Sequence, residues 1–293
     1  MPATRPGATG AVISGWGTAL PAKVVTNDEL AATMDTSDEW IRTRTGIHER
    51  RIGGSTAGLS VESGRQALEM AGLDPSRIDA LVLATTTPDK QWGTASQVQN
   101  ELGLRCGAVE INAACSGFMY GLVQAHGLIA MGADRVLVIG TDTLSRITDW
   151  DDRATAPLFA DGSGAVVIES VEGPGQLLGW DLDADGSLLP LLWADVGGTI
   201  VMEGKEVFRR AVRLMVDSAQ KAMANAGVTG DDISLLVPHR AIAPVEARIL
   251  GRHAEGAEAP DPADRQHLRE ALAGVEVPLR AQIAGPQTPA SQV

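Results

Sequence analysis

Two stretches of this chain carry the same pattern, and that repetition limits the possible folds more than any other feature. In each, a helical run ends at Ala-Gly plus an apolar residue, a polar turn follows, and an apolar strand closes the unit. One copy spans 67–84, with Ala71-Gly72-Leu73 ahead of Ile78 to Ala84. The other spans 222–238, with Ala226-Gly227-Val228 ahead of Ile233 to Pro238, and His239 follows at once. Self-similarity of this kind predicts a duplicated βαβ half. Outside the copies, strands are expected at 11–17, 108–113, 135–140 and 165–169, with sheet-like structure over 176–182. Helices are expected to start at Thr26 and to cover 60–71, 94–102, 118–131 and 207–226. Strands alternating with helices imply an α/β fold, with mostly parallel or mixed sheets covered on both faces. The expected organisation is a first half at 1–170, a second at 171–250 that is incomplete, and an atypical tail at 251–293.

Composition removes several function classes. A net charge of −13 argues against a nucleic-acid binder. Two cysteines, Cys106 and Cys115, make no disulfide framework. The five histidines are scattered and none pairs with a Cys motif, so no metal is expected. No apolar run is long enough to span a bilayer, and Met1-Pro-Ala-Thr-Arg-Pro-Gly has no apolar signal core. The expected location is cytoplasmic.

The chemistry concentrates at Cys115. An apolar run over 109–114 suits a strand end, and the run after Gly117 suits a buried helix. A Cys at that junction sits near a helix N-terminus, where free N–H groups and the macrodipole favour a thiolate. A lone Cys is more often a packed core residue. Its setting of small residues, Ala113-Ala114-Cys115-Ser116-Gly117, instead leaves room for a substrate to reach the sulfur.

With Cys115, the duplicated half and Pro238-His239 in view, the chain resembles the thiolase-fold condensing enzymes. Among them it is most similar to the β-ketoacyl-acyl carrier protein synthase III family, in its actinobacterial form. The matching pieces are Thr36-Ser-Asp-Glu-Trp-Ile-Arg-Thr-Arg-Thr-Gly-Ile, Leu83-Ala-Thr-Thr-Thr-Pro-Asp, Asn112-Ala-Ala-Cys-Ser-Gly-Phe, Phe159-Ala-Asp-Gly-Ser-Gly-Ala, Met202-Glu-Gly-Lys-Glu-Val-Phe and Leu235-Leu-Val-Pro-His. They follow the family order from residue 10 to about residue 239. The resemblance implies a thiolase fold and an acyltransferase that condenses an acyl-CoA primer with malonyl-acyl carrier protein, releasing CO2. Fatty-acid or polyketide initiation is the implied setting. Cys115 would carry the acyl group and His239 would assist decarboxylation. Trp40 and Arg44 would hold the CoA adenine, Arg153 would contact the nucleotide, and Phe208 would lie near the acyl and pantetheine tunnel. Trp92 would fall in a loop crossing a homodimer interface and closing the partner's acyl pocket. Acyl-CoA is a substrate, so no resident cofactor is implied.

The resemblance breaks after His239. The family's pantetheine-contacting Asn is replaced by Ile242, and Pro244 interrupts the expected helix start. The family's second catalytic polar residue, an Asn in a Gly-Asn-Thr-Ser segment, has no counterpart, because no Asn follows Asn225. The closing Gly-rich segment is missing too, residues 252–267 are poor in apolar side chains, and 286–293 is expected to be disordered. Two accounts fit. Residues 263–268, Ala-Asp-Arg-Gln-His-Leu, can be encoded so that a one-base shift reads Arg-Thr-Gly-Asn-Thr-Ser, which points to a frameshift near residue 240. The other account is a paralogue with a diverged C-terminus. On either, a Cys-dependent acyltransferase or thioesterase without decarboxylation, or a non-catalytic dimerising partner, stands as the alternative function.

The missing Asn predicts weak condensation by the chain as it stands. A gene shifted by one base to encode Gly-Asn-Thr-Ser after codon 263 should condense acetyl-CoA with malonyl-acyl carrier protein roughly 100-fold faster or more, the usual effect of restoring a donor to a developing oxyanion. An ordinary turnover rate from the unshifted chain would overturn both the frameshift and the role given to the missing Asn.

Overall fold

The most apolar runs of the sequence form the middle of a five-stranded sheet. The computed structural model describes residues 8–233, 235–237 and 239. In chain order the elements are β1 (Ala8–Ala19), β2 (Lys23–Thr26), α1 (Asn27–Ala31), α2 (Asp38–Thr45), β3 (Glu49–Ile52), α3 (Thr56–Ala71), β4 (Ala80–Ala84), α4 (Thr94–Glu101), β5 (Gly107–Ile111), α5 (Gly117–Ala130), β6 (Arg135–Thr143), β7 (Asp161–Glu172), β8 (Leu192–Trp193), β9 (Val201–Met202) and α6 (Gly204–Ala226). The main sheet runs β1-β7-β6-β4-β5. β4 is parallel to β5 and β6, while β7 is antiparallel to β6 and β1. β2 with β3, and β8 with β9, form two small ribbons.

Strand alternation divides the core between two layers. Leu81, Leu83, Leu137, Ile139, Ala165 and Val167 point to one face, where Val61, Ala67 and Leu68 of α3 and Val98 of α4 meet them. Val82, Val136, Val138 and Ile168 point to the other face, against Leu122, Ala125 and Ile129 of α5. A sheet buried on both faces needs apolar residues at successive positions, which is why these strands read as continuous runs. The helix ends follow the local sequence. Thr26 and Glu29 make a reciprocal capping box at α1, and Ser55 caps α3, which stops at Gly72 with φ 65°.

The duplication is visible in atomic detail. β1 lies so close to α3 that a Cβ on Gly15 would sit 2.3 Å from Ala67 O and 2.7 Å from Ala71 N. In the second copy, a Cβ on Gly179 would sit 2.3 Å from Ala222 O and 2.8 Å from Ala226 N. Gly227 then closes α6 with φ 70°, as Gly72 closes α3, and Val228 N–H bonds Met223 O as Leu73 N–H bonds Leu68 O. Segment 177–182 is therefore the second half's counterpart of β1, packed on its own helix.

The second half departs from expectation beyond that contact. Residues 176–182 pack on α6 but form no strand; the nearest pairing is an isolated bridge between Ala11 and Gly175. The strand expected at 233–238 is likewise absent from its described residues, Ile233 and 235–237. The physical reason is the lack of a ladder: among the described residues β1 reaches only Gly175 and Gln176 at the start of the first stretch, and no strand pairs with the second. The expectations for 240–293, including the tail at 251–293, lie outside the described residues.

The uneven packing has a measurable consequence. α3 buries nine residues, whereas α6 buries only Val212 over 23 residues. Backbone amides of α6 should therefore exchange with deuterium orders of magnitude faster than those of β4 and β6. Equal protection would show that α6 is held as firmly as the sheet.

Candidate active site

Cys115 stands at the junction between β5 and α5. After Ile111 the chain turns: Ala114 N–H donates to Asn112 Oδ1 at 3.1 Å, and Ser116 and Gly117 N–H close on the carbonyls of Ala113 and Ala114. Ala114 takes φ 46°, the one non-glycine residue with positive φ among the described residues. A left-handed alanine costs about 1–2 kcal/mol, and such strain at the residue before a candidate nucleophile is typical of functional turns. α5 then lies directly on the sheet. A Cβ on Gly117 would meet Ala84 Cβ at 3.1 Å, and one on Gly121 would meet Val138 Cγ1 at 2.9 Å. This close seating fixes where the helix begins and hence where the sulfur sits.

A cavity of about 420 Å³ opens beside Cys115, lined also by Phe118, Gly140, Thr141, Asp142, Gly162 and Gly164. Glycines in its wall leave space for a substrate. The expectation of a favoured thiolate meets opposing effects here. Cys115 as a residue is exposed, but the groups crowding its sulfur push the thiol above its ordinary value, and the Asp142 carboxylate pushes it further in the same direction. The α5 N-terminus, which Ser116 does not cap with its side chain, acts the other way. Asp142 was not foreseen. Its Oδ1 accepts from Thr86 N at 2.7 Å and from Thr86 Oγ1 at 2.7 Å, which anchors the loop after β4 at the cavity. Cys106 is half-buried, its thiol also raised by burial, and it lines no part of this cavity.

Trp40, Arg44 and Arg153 come together as the sequence resemblance implied. The Arg44 guanidinium lies 4.6 Å from the Trp40 ring centroid and the Arg153 guanidinium 4.3 Å from it. α2 supplies Trp40 and Arg44, while the turn after residue 149 supplies Arg153. Asp152 shapes that turn by accepting from Ala154 N and Thr155 Oγ1. The indole also packs against the cluster of Val25, Leu30 and Ile41, so it is both core and surface. Neither arginine is paired with a carboxylate among the described residues.

Three other sequence expectations fare differently. His239 is exposed and does not line the Cys115 cavity; Ile233 and 235–237, the described residues of the strand expected to deliver it, are not in a strand. Phe208 sits exposed on α6, away from that cavity lining. Trp92 is 81% exposed, in the loop before α4. Among the described residues no group of His, Cys, Asp and Glu could hold a metal ion, and no helix is long and apolar enough to cross a membrane.

Comparison with known proteins bears on both fold and site. The family model described as 3-Oxoacyl-[acyl-carrier-protein (ACP)] synthase III matches residues 109–186, which include the end of β5, Cys115 and β7. The Beta-ketoacyl-[acyl-carrier-protein] synthase III of Erythrobacter litoralis is 49% identical over 257 residues, covering 82% of this chain and 78% of that protein. Its counterpart in Geobacillus kaustophilus is 47% identical over 238 residues, covering 79% and 76%. Among solved structures, 3-oxoacyl-[acyl-carrier-protein] synthase III from Aquifex aeolicus matches with a TM-score of 0.78 at 41% identity, covering 83% of this chain and 81% of that one. The priming beta-ketosynthase of the R1128 polyketide pathway matches with a TM-score of 0.76 at 32% identity, covering 86% and 79%. The fold is the thiolase fold these structures share, and the chain belongs to the β-ketoacyl-acyl carrier protein synthase III family.

Proposed function

We propose that this chain takes an acyl group from acyl-CoA onto Cys115 and passes it to a carbanion formed from malonyl-acyl carrier protein. The observation that carries this reading is the strained turn at Ala114, which presents Cys115 to a cavity walled by glycines. In the first step the Cys115 thiol loses its proton, its sulfur bonds the acyl carbon, and the carbon–sulfur bond to CoA breaks. CoA leaves as a thiol with a proton. In the second, malonyl-acyl carrier protein loses CO2, the resulting enolate attacks the acyl carbon, and the bond to Cys115 breaks. The product is β-ketoacyl-acyl carrier protein, and the Cys115 thiolate takes up a proton from solvent. Kinship with condensing enzymes at 49% and 47% identity supports this reaction over the acyltransferase and thioesterase alternatives.

Trp40, Arg44 and Arg153 suit the nucleotide end of CoA. The indole offers a face on which adenine can stack, and two guanidiniums without carboxylate partners among the described residues offer charge to phosphates. A homodimer is part of the proposal. It is supported by β5, an edge strand of the main sheet whose outer side has no partner strand among the described residues, and by the exposed side chains of Val109 and Trp92 nearby in sequence.

Radiolabelled acetyl-CoA should acylate the chain once, and Cys115→Ala should abolish the label; labelling that survives in the variant would overturn the assignment. The pH dependence follows from the raised thiol. The thiolate is the nucleophile, so labelling should rise with pH and keep rising past about 8.5, the ordinary thiol value. Asp142→Asn keeps an acceptor for Thr86 and removes the nearby negative charge, so it should move this curve to lower pH. A curve that levels off below the ordinary thiol value would show a thiolate stabilised by other groups.

A further inference from the structure

We infer that Arg50, which touches no part of the candidate site, is the positioning residue that assembles the Trp40, Arg44 and Arg153 cradle. The inference rests on the reading of that cradle as the CoA nucleotide site. Arg50 lies on β3 and is 3% exposed. A buried guanidinium ordinarily needs a carboxylate, yet the partners of Arg50 among the described residues are neutral. Its Nη1 donates to Val25 O at 3.3 Å and Thr26 O at 3.4 Å. Its Nη2 donates to Asn27 Oδ1 at 2.8 Å and Pro157 O at 3.1 Å. Nε has no partner. A charge held at this cost of desolvation is there for geometry, because an apolar side chain would fill the volume more cheaply.

The partners explain which geometry. Asn27, 1% exposed, passes the contact on to both ends of α2: its Nδ2 donates to Asp38 Oδ1 at 2.8 Å and to Ile47 O at 2.8 Å. Asp38 is the first residue of α2, and Ile47 comes just after the helix closes at Gly46. The helix carrying Trp40 and Arg44 is thus clamped at both ends by one amide, and that amide is held by Arg50. The same Arg50 nitrogen reaches Pro157, four residues after Arg153. Between them Thr155 and Ala156 are fully buried, so a pull on Pro157 O sets the turn that aims Arg153. One planar, multiply donating group therefore joins two segments more than a hundred residues apart, and these two segments carry the three cradle residues. A lysine has the charge but not the fork that reaches both Asn27 and Pro157.

The test compares two acyl donors on the full chain, each scored by the rate of Cys115 acylation. Acetyl-CoA carries the nucleotide; the acetyl thioester of N-acetylcysteamine does not. Arg50→Lys and Arg50→Gln should slow acylation by limiting acetyl-CoA roughly tenfold, the scale of lost ring and charge contacts. Neither should change acylation by the N-acetylcysteamine thioester by more than about twofold, because the cradle plays no part with that donor. Trp40→Ala, measured alongside, should show the same split. If the Arg50 variants lose both donors equally, Arg50 is a folding residue and the inference is wrong. If they lose neither while Trp40→Ala retains its split, the cradle stands and the positioning role of Arg50 falls. If Trp40→Ala shows no split, the nucleotide reading itself fails, and the inference falls with it.

Discussion

The seating of helices on strands without intervening side chains is the contact on which the rest of this structure depends. At Gly117 and Gly121 α5 rests directly on β4 and β6, so the helix can start only where the chain leaves β5 through the strained Ala114. At Gly15 the same device holds α3 on β1, and at Gly179 it holds α6 on its own extended segment. Each of these glycines leaves no room for a Cβ, because backbone atoms of the facing helix or core side chains already fill the space. The position of Cys115, and a cavity walled by Gly140, Gly162 and Gly164, are consequences of that packing.

The two halves of the reaction map onto unequal halves of the structure. The first half has a finished five-stranded sheet, covered by α3 and α4 on one face and α5 on the other, and it holds Cys115 and its cavity. The second half repeats the helix-on-strand contact of the first almost atom for atom. Among the described residues it does not add the ladder that would hold His239 in place. Acylation depends on local geometry at one strand-to-helix junction, whereas decarboxylation needs groups brought together from the second half. The chemistry most exposed to the altered C-terminal sequence is therefore the second step.

Electrostatics separate the two functional regions of the first half. At Cys115, desolvation of the sulfur and the Asp142 carboxylate act against the thiolate, while the α5 N-terminus acts for it. At Trp40 the chain, acidic overall with a net charge of −13, gathers two exposed guanidiniums against one indole. A local positive face on an acidic protein suits a small polyanion better than a nucleic acid, whose extended charge would meet the acidic remainder. Arg50 contributes in a different way, through donor geometry inside the protein.

The sequence by itself determined the α/β class, the repeated Ala-Gly helix stops and the helix ends, and it singled out Cys115, which the fold sets beside a cavity, and Trp40, Arg44 and Arg153, which the fold brings together. These follow from local rules: continuous apolar runs, Ala-Gly helix stops, capping residues such as Thr26 and Ser55, and motifs read in order. Their agreement across many positions made the fold legible. Only the tertiary structure decided the rest. Arg50 reads as one more surface charge in Glu49-Arg50-Arg51, and its burial depends on Pro157, a residue 107 positions away. Asp142 looks like the polar end of a strand, and its bearing on the Cys115 thiol arises from the neighbouring β4 loop. The strand expected at 233–238 shows the converse. Its apolar pattern is present, yet a strand needs a partner's backbone, and local sequence cannot supply one. Groups whose role depends on a neighbour distant in sequence stay silent until the chain is folded.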